Sequence, residues 1–379
     1  MFIKGVGMTK FGTDLEQGSH MAYEAAMEAI DDSQMPFEKI DAIIMSCMES
    51  PSNGERQKHT ASMLSSLFQK KCPILNIPAG CAGGGSALWT SVKILKNQAN
   101  NYDNILVLCV DKIMANTSKN VTDEILMGGE RIYEQTEGLN FPAQNALCAQ
   151  QYMRKYGATM DDLSLVAFKN HSNAYLNPKA KFYKKKVTLE EIKSSPVVAS
   201  PLRLFDCSIS CNGAAAVIIS KEKSDIEITG SSEEGDFLSP FERDDMTSLE
   251  STRKAAKSAY EEAGIGPKDL ELVELHDAFT PLELISYEDL GLCKKGEGAK
   301  LIRGGTTNLN GSLPVNTSGG LKARGHPISP TGISQVYELV KQMRKQAGDR
   351  QVKVPKYSLA HNIGGVGSVA TVHILKNLN

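Results

Sequence analysis

Four blocks of this chain carry groups able to act as nucleophile, base or oxyanion donor, and three of them lie in glycine turns. Cys81 sits in NIPAGCAGGGSALWTSVKIL, where an apolar run ends near Pro78 and an amphipathic helix begins near Ser86. A thiol just ahead of a helix N-terminus feels the positive end of the macrodipole, which favours thiolate. The glycines would let a thioester carbonyl approach the backbone, as at a nucleophile elbow. The same residues could equally build a buried cysteine in a tight turn. His276, in VELHDAFTPLELISYEDLGL, follows the apolar run 272–275. That puts it at the C-terminal edge of a parallel strand, where open α/β folds hold their ligands, and an imidazole there can donate to a developing oxyanion. His326 is held between Gly325 and Pro327, with a helix starting near Pro330, and suits general-base work on a thiol. In SLAHNIGGVGSVATVHIL, His361, Asn362 and Gly364 precede another glycine turn whose N–H groups could form an oxyanion hole. Taken singly, His276 and His326 could each be a histidine satisfied by its own turn.

Positioning these groups requires alternating strands and helices. Apolar runs of strand length recur at 42–45, 105–110, 214–219, 272–275 and 369–375, with helical patterns at 22–30, 87–96, 252–263 and 333–345 between them. That alternation implies parallel βαβ units. The chain also repeats itself: AAMEAIDDSQMPFEKIDAI at 25–43 parallels AAKSAYEEAGIGPKDLELV at 255–273, and the glycine turn and helix at 80–96 parallels that at 319–345. A period of about 230 residues is too long for a solenoid and implies a duplicated α/β half. Between the halves, residues 115–185 differ in texture, being rich in Asn, Gln, Tyr, Met and Lys, with helical stretches at 143–156 and 161–175 and a basic run at 179–186. Insertions of this kind often cover a site.

Composition narrows the class. With 42 Lys+Arg against 44 Asp+Glu over 379 residues, the chain lacks the basic excess of a nucleic-acid binder. No apolar run approaches the ~20 residues of a membrane span, and MFIKGVGMTKFG reads as a first strand rather than a signal peptide. The eight cysteines include no Cys-x-x-Cys pair, so no metal site is expected. A cytoplasmic protein follows.

Cys81 on its glycine turn, PLRLFDCSISCNGAAAVIIS, HDAF, NTSGG, GHP and HNIGG together resemble the thiolase family over nearly the whole chain. HDAF is similar to the branch containing sterol-carrier-type and archaeal acetoacetyl-CoA thiolases. The resemblance implies an α/β thiolase fold: two βαβαβαββ halves forming a layered α-β-α-β-α core with an inserted loop domain. Residues 1–114 with 186–224 would be the N-terminal half, 115–185 the loop domain over the CoA site, and 225–379 the C-terminal half. The implied function is acetyl-CoA C-acetyltransferase, joining two acetyl-CoA by Claisen condensation or running the reverse thiolysis. Cys81 would be acylated and His326 would activate it. His276 and His326 would hold the enolate oxygen, and the N–H groups of Cys81 and Gly364 the tetrahedral adduct. Ser318 and Gly319 of NTSGG, with Lys181 and Lys184 of the basic run, would contact CoA, which is a substrate rather than a resident cofactor.

A homodimer or homotetramer is implied, as is a complex with a hydroxymethylglutaryl-CoA synthase and a small OB-fold protein, with no nucleic acid or membrane partner. One departure matters. Thiolases carry a second cysteine for α-proton exchange, and its two known places align with Asn362 and Ala278. The base is then unassigned, with His361 as the candidate. Alternatives are an acyltransferase or C–C lyase acting on a longer-chain or non-CoA acceptor, and a non-catalytic scaffold.

Overall fold

The computed structural model describes residues 1–13, 16–49, 53–55, 58–114 and 118–379, and within 118–120 the backbone only. Residues 115–117, where the loop domain is expected to begin, lie outside the described residues. The first half runs β1 (Phe2–Met8), α1 (Gly18–Ser33), β2 (Ala42–Ser46), α2 (Thr60–Phe68), β3 (Ile74–Asn76), α3 (Gly83–Lys96) and β4 (Asn104–Asp111). Four helices follow, α4 (Ser118–Leu126), α5 (Phe141–Tyr156), α6 (Met160–Tyr175) and α7 (Leu189–Ser194). A two-stranded hairpin, β5 (Val197–Ala199) and β6 (Leu202–Arg203), then leads to β7 (Gly213–Ser220). The second half runs β8 (Ile226–Gly235), α8 (Glu250–Ala263), β9 (Leu272–Glu274), α9 (Thr280–Asp289), α10 (Gly298–Arg303), α11 (Pro330–Met343), β10 (Tyr357–Gly364) and β11 (Val369–Asn377).

The duplication is visible in the strand order. The large sheet runs β3-β2-β4-β7-β1-β8-β11-β10-β9, and Val315 adds a parallel bridge outside β9 at Val273. Each half therefore repeats one order: third, second, fourth, fifth, first. The last strand of each half, β7 or β11, runs antiparallel to its neighbours, which breaks the all-parallel pattern that alternation alone suggests. The two sets join where Phe2 and Ile3 pair with Glu227 and Ile226.

Helices α3 and α11 lie between the halves, each touching strands of both, while α1 and α8 cover the two outer faces. The repeated alanine helices explain the close packing. A Cβ on Gly5 of β1 would stand 2.2 Å from the Ala29 carbonyl oxygen, and one on Gly230 of β8 would stand 2.3 Å from that of Ala259. Ala29 and Ala259 hold the same place in the repeat. The glycines after Cys81 serve the same purpose between halves: a Cβ on Gly84 would meet the Ser329 carbonyl at 2.6 Å, and one on Gly332 the Gly85 nitrogen at 2.4 Å. Gly84 thus admits the backbone of the other half and Gly85 its Thr371 side chain, whereas a Cβ on Gly83 would meet Ser46 of its own half.

Candidate active site

The C-terminal ends of the parallel strands β2, β4, β9 and β10 converge, the place where open α/β sheets hold their ligands. Cys81 occupies a short 3-10 turn (Gly80–Ala82) directly before α3. His276 lies two residues beyond β9, and His326 lies in the turn leading to α11, fixed by its N–H to the Ile209 carbonyl at 2.9 Å. The histidine rings meet edge-on, 5.3 Å between centroids. Both line a cavity of about 180 Å³ together with Cys81, Cys207, Ala278 and Phe279. Cys81 also lines a second cavity of about 330 Å³, walled by apolar groups including Met48, Ile113, Ile125, Met127 and Phe141, with Gly364 and the Glu124 side of α4 at its edge. Cys81, Ile125, Phe141, Ile328 and Gly365 belong to both walls.

Hydrogen bonds fix the imidazoles. The Asn362 side-chain amide donates to His276 Nδ1 at 3.0 Å and to the Cys81 carbonyl at 2.9 Å. The Ile363 N–H also points at that Nδ1, at 3.4 Å. Two donors on Nδ1 leave the ring proton on Nε2, so His276 presents an N–H to the cavity. His326 Nδ1 pairs with the Thr331 hydroxyl at 2.7 Å. A hydroxyl gives or accepts, so Thr331 supports either tautomer of His326.

Burial sets the charge states. It depresses His276 well below the ordinary imidazole range, with the neighbouring His326 adding to the effect, and pushes His326 down to about 3. The Cys81 thiol is pushed up to about 12 by burial and by the Asp111 carboxylate behind it, although the Gly365 N–H bonds the sulfur. The resting nucleophile is therefore a neutral thiol beside neutral imidazoles. The thiolate expected from the helix dipole does not form, because a dipole contributes at most ~2 kcal/mol and desolvation outweighs it.

Asp111 spans the two halves. Its oxygens accept the N–H groups of Met48 at 2.7 Å and Ser329 at 2.8 Å, and burial pushes its carboxyl up to about 7. Through Ser329 it holds Ile328 at φ 64°, a left-handed conformation costly for a β-branched residue. Sequence reasoning missed Asp111, Asn362 as a partner of His276, and Thr331. Only Thr331, five residues after His326 at the start of α11, left a local signal.

The other expected residues lie elsewhere. His361 neighbours Asn362 on β10 but points to the opposite face, its Nε2 2.9 Å from the Thr252 hydroxyl of α8. It lines neither cavity, so it cannot be the α-proton base. Ser318 is fully buried, its N–H and hydroxyl both bonded to Glu274. Gly319 at φ 102° packs against Ala174 of α6. Both belong to a buried polar core and are out of reach of CoA. Lys181 donates to the Thr13 hydroxyl, and the Lys184 ammonium lies over the rings of Tyr175 and Tyr183. Neither lysine lines either of the two cavities that meet at Cys81.

This duplicated architecture, with a cysteine from one half and imidazoles from the other converging between them, is that of an acyltransferase. The chain belongs to the thiolase family: "Thiolase, N-terminal domain" matches residues 1–223 and "Thiolase C-terminal domain-like" matches residues 233–377. It is 37% identical to an acetyl-CoA acetyltransferase of Methanothermobacter thermautotrophicus, covering 98% of this chain and 97% of that one. It is 31% identical to sterol carrier protein 2 of Bos taurus, covering 99% of this chain and 72% of that one. The solved Ltp2-ChsH2(DUF35) aldolase superposes with a TM-score of 0.82 at 24% identity, over 99% of this chain and 97% of that one.

The charge states predict a pH profile. With His326 pushed down to about 3 and His276 held well below the ordinary imidazole range by burial, both rings stay neutral and acylation by a thioester should not fall as pH drops from 8 to 5. Asp111 ionises as pH rises through about 7, and its charge opposes a thiolate at Cys81. Single-turnover acylation should therefore decline above neutrality, and Asp111→Asn should flatten that decline. Loss of rate on acidification with a midpoint near 6.5, the ordinary imidazole value, would overturn these assignments.

Proposed function

We propose that the chain is an acetyl-CoA C-acetyltransferase that condenses two acetyl-CoA, or cleaves acetoacetyl-CoA, through an acetyl-Cys81 thioester. The observation that carries it is the shared cavity lined by Cys81, His276 and His326, with the two imidazole centroids 5.3 Å apart. In the first half-reaction Cys81 Sγ attacks the thioester carbon while its proton passes to His326. The bond to the CoA sulfur breaks, and His326 returns the proton to the leaving thiolate. The adduct oxygen is met by backbone N–H groups at Cys81 and Gly364. In the second half-reaction His276, with its Nε2–H, and His326 in its other tautomer hold the enolate oxygen of the second acetyl-CoA. Thr331 allows that tautomer change. Incubation with acetyl-CoA should give a monoacetylated chain with the label on Cys81, stoichiometric CoA release and acetoacetyl-CoA. An unmodified chain after prolonged incubation would sink the reading.

The 330 Å³ apolar cavity beside Cys81 exceeds what an acetyl group fills and favours one variant of this reading, a longer acyl chain on the cysteine. The helical segment after residue 117 is proposed to roof the CoA channel, supported by Val121, Ile125 and Phe141 in the cavity walls. Lys181 and Lys184, by charge and surface position, are the proposed contacts for the outer phosphates of CoA.

Self-association is proposed through β3, the free edge of the sheet, where Leu75 is half exposed. Leu75→Lys should shift sedimentation toward monomer, and an unchanged oligomer would move the interface elsewhere. A partner such as a hydroxymethylglutaryl-CoA synthase with a small OB-fold protein is proposed on the exposed Phe237, Leu238 and Phe241. Among the described residues no helix is long and apolar enough to cross a membrane, which is compatible with the cytoplasmic location proposed.

A further inference from the structure

Condensation needs a base for the α-proton of the second acetyl-CoA, and the residues that supply one in other thiolases are absent. Asn362 is committed as a donor to His276 and to the Cys81 carbonyl. Ala278 has no ionisable group, and His361 faces α8. Among the described residues lining the two cavities that meet at Cys81, one carries a carboxylate: Glu124, on α4. Its side chain makes none of the hydrogen bonds or ion pairs that occupy neighbouring carboxylates such as Glu130, which caps its own turn. Glu124 adjoins Ile125, which belongs to both cavity walls. The remaining candidate, Cys207, donates its thiol to the Arg203 carbonyl and is pushed up to about 11 by burial.

We propose that Glu124 is the catalytic base that removes the α-proton of the acceptor acetyl-CoA. This rests on the acetyltransferase reading above. The carboxylate takes the proton from the methyl carbon. The C–H pair becomes the enolate C=C, and its oxygen is held by His276 and His326. The enolate carbon then attacks the acetyl carbon on Cys81: a C–C bond forms, the C–S bond to Cys81 breaks, and Glu124 returns its proton to the Cys81 thiolate. Two acetyl-CoA have become acetoacetyl-CoA and CoA, and both the thiol and the carboxylate are restored. A carboxylate is a competent base here because the proton is lost only as two imidazoles stabilise the enolate, and a positioned base typically contributes about 10²–10⁴-fold.

The test separates the half-reactions. Acetyl-Cys81 formation, exchange of the acetyl-CoA methyl protons in D₂O, and condensation are measured in wild type, Glu124→Gln, Glu124→Asp and Cys207→Ser. Glu124→Gln should acetylate at the wild-type rate while exchange and condensation fall about 10²–10⁴-fold, and Glu124→Asp should recover part of both. Unimpaired acetylation in Glu124→Gln certifies an intact site. Exchange that persists in Glu124→Gln, or that falls in Cys207→Ser instead, would overturn the assignment. So would wild-type protein that acetylates without any exchange. Wild-type protein that does not acetylate would instead bring down the acetyltransferase reading itself.

Discussion

Cys81→Ala is expected to abolish the acyl-enzyme and to cut turnover on the order of 10⁶-fold, the scale of losing a covalent nucleophile that works as a unit with its base. The side chain lines both cavities and accepts the Gly365 N–H on its sulfur, so removing it leaves binding surfaces but no atom to carry the acyl group. Fold should be kept, since the turn and the start of α3 depend on glycine packing across the halves rather than on the thiol. Intact-mass spectrometry after acetyl-CoA, with peptide mapping, checks this. An adduct of undiminished yield in Cys81→Ala, mapping to Cys207 or Cys47, would show that another thiol is the nucleophile.

Asn362→Asp should cost about 10²–10³ in kcat, the usual scale for one lost oxyanion donor. The amide of Asn362 is what makes His276 Nδ1 an acceptor. A carboxylate in its place has no hydrogen to give and would draw the ring proton to Nδ1, leaving Nε2 bare toward the cavity. The Cys81 carbonyl would lose its donor as well. The loss should appear in kcat with little change in KM, because the donor matters most when charge sits on the substrate oxygen. Asn362→Gln, which keeps the donor on a longer arm, should retain more activity than Asn362→Asp. Equal kinetics for the two acidic and amide variants would mean that the His276 tautomer is irrelevant.

The local pattern of the chain carried much of this architecture. The repeat at 25–43 and 255–273 became α1–β2 and α8–β9, because an alanine helix, a proline turn and an apolar strand are written within twenty consecutive residues. Cys81, His276 and His326 were legible for the same reason: each stands at a strand end or before a helix, and strand ends in one sheet gather at one edge. What stayed hidden depends on facing and on long-range partners. His361 and Asn362 are adjacent in sequence, yet one meets α8 and the other meets His276, and only the pairing of β10 between β9 and β11 decides which is which. Ser318 and Gly319 sit in a motif that looks like a binding loop. They are buried because Glu274 and α6 arrive from distant parts of the chain. The state of the Cys81 thiol was misjudged for a related reason: the helix start is local, whereas Asp111 and the covering walls come from elsewhere.

The split of the site between halves also bears on the chain as it is being made. Synthesis delivers Cys81, its glycine turn and α3 well before His276, His326 and Asn362 exist. Gly84 and Gly85 meet Ser329, Ile333 and Asn362 only when the second half docks. Until then the thiol has neither proton acceptor nor oxyanion donors from its partner half. A nascent or half-unfolded chain thus holds only an ordinary solvent-exposed thiol, and the arrangement that acylates it selectively arrives with the completed fold.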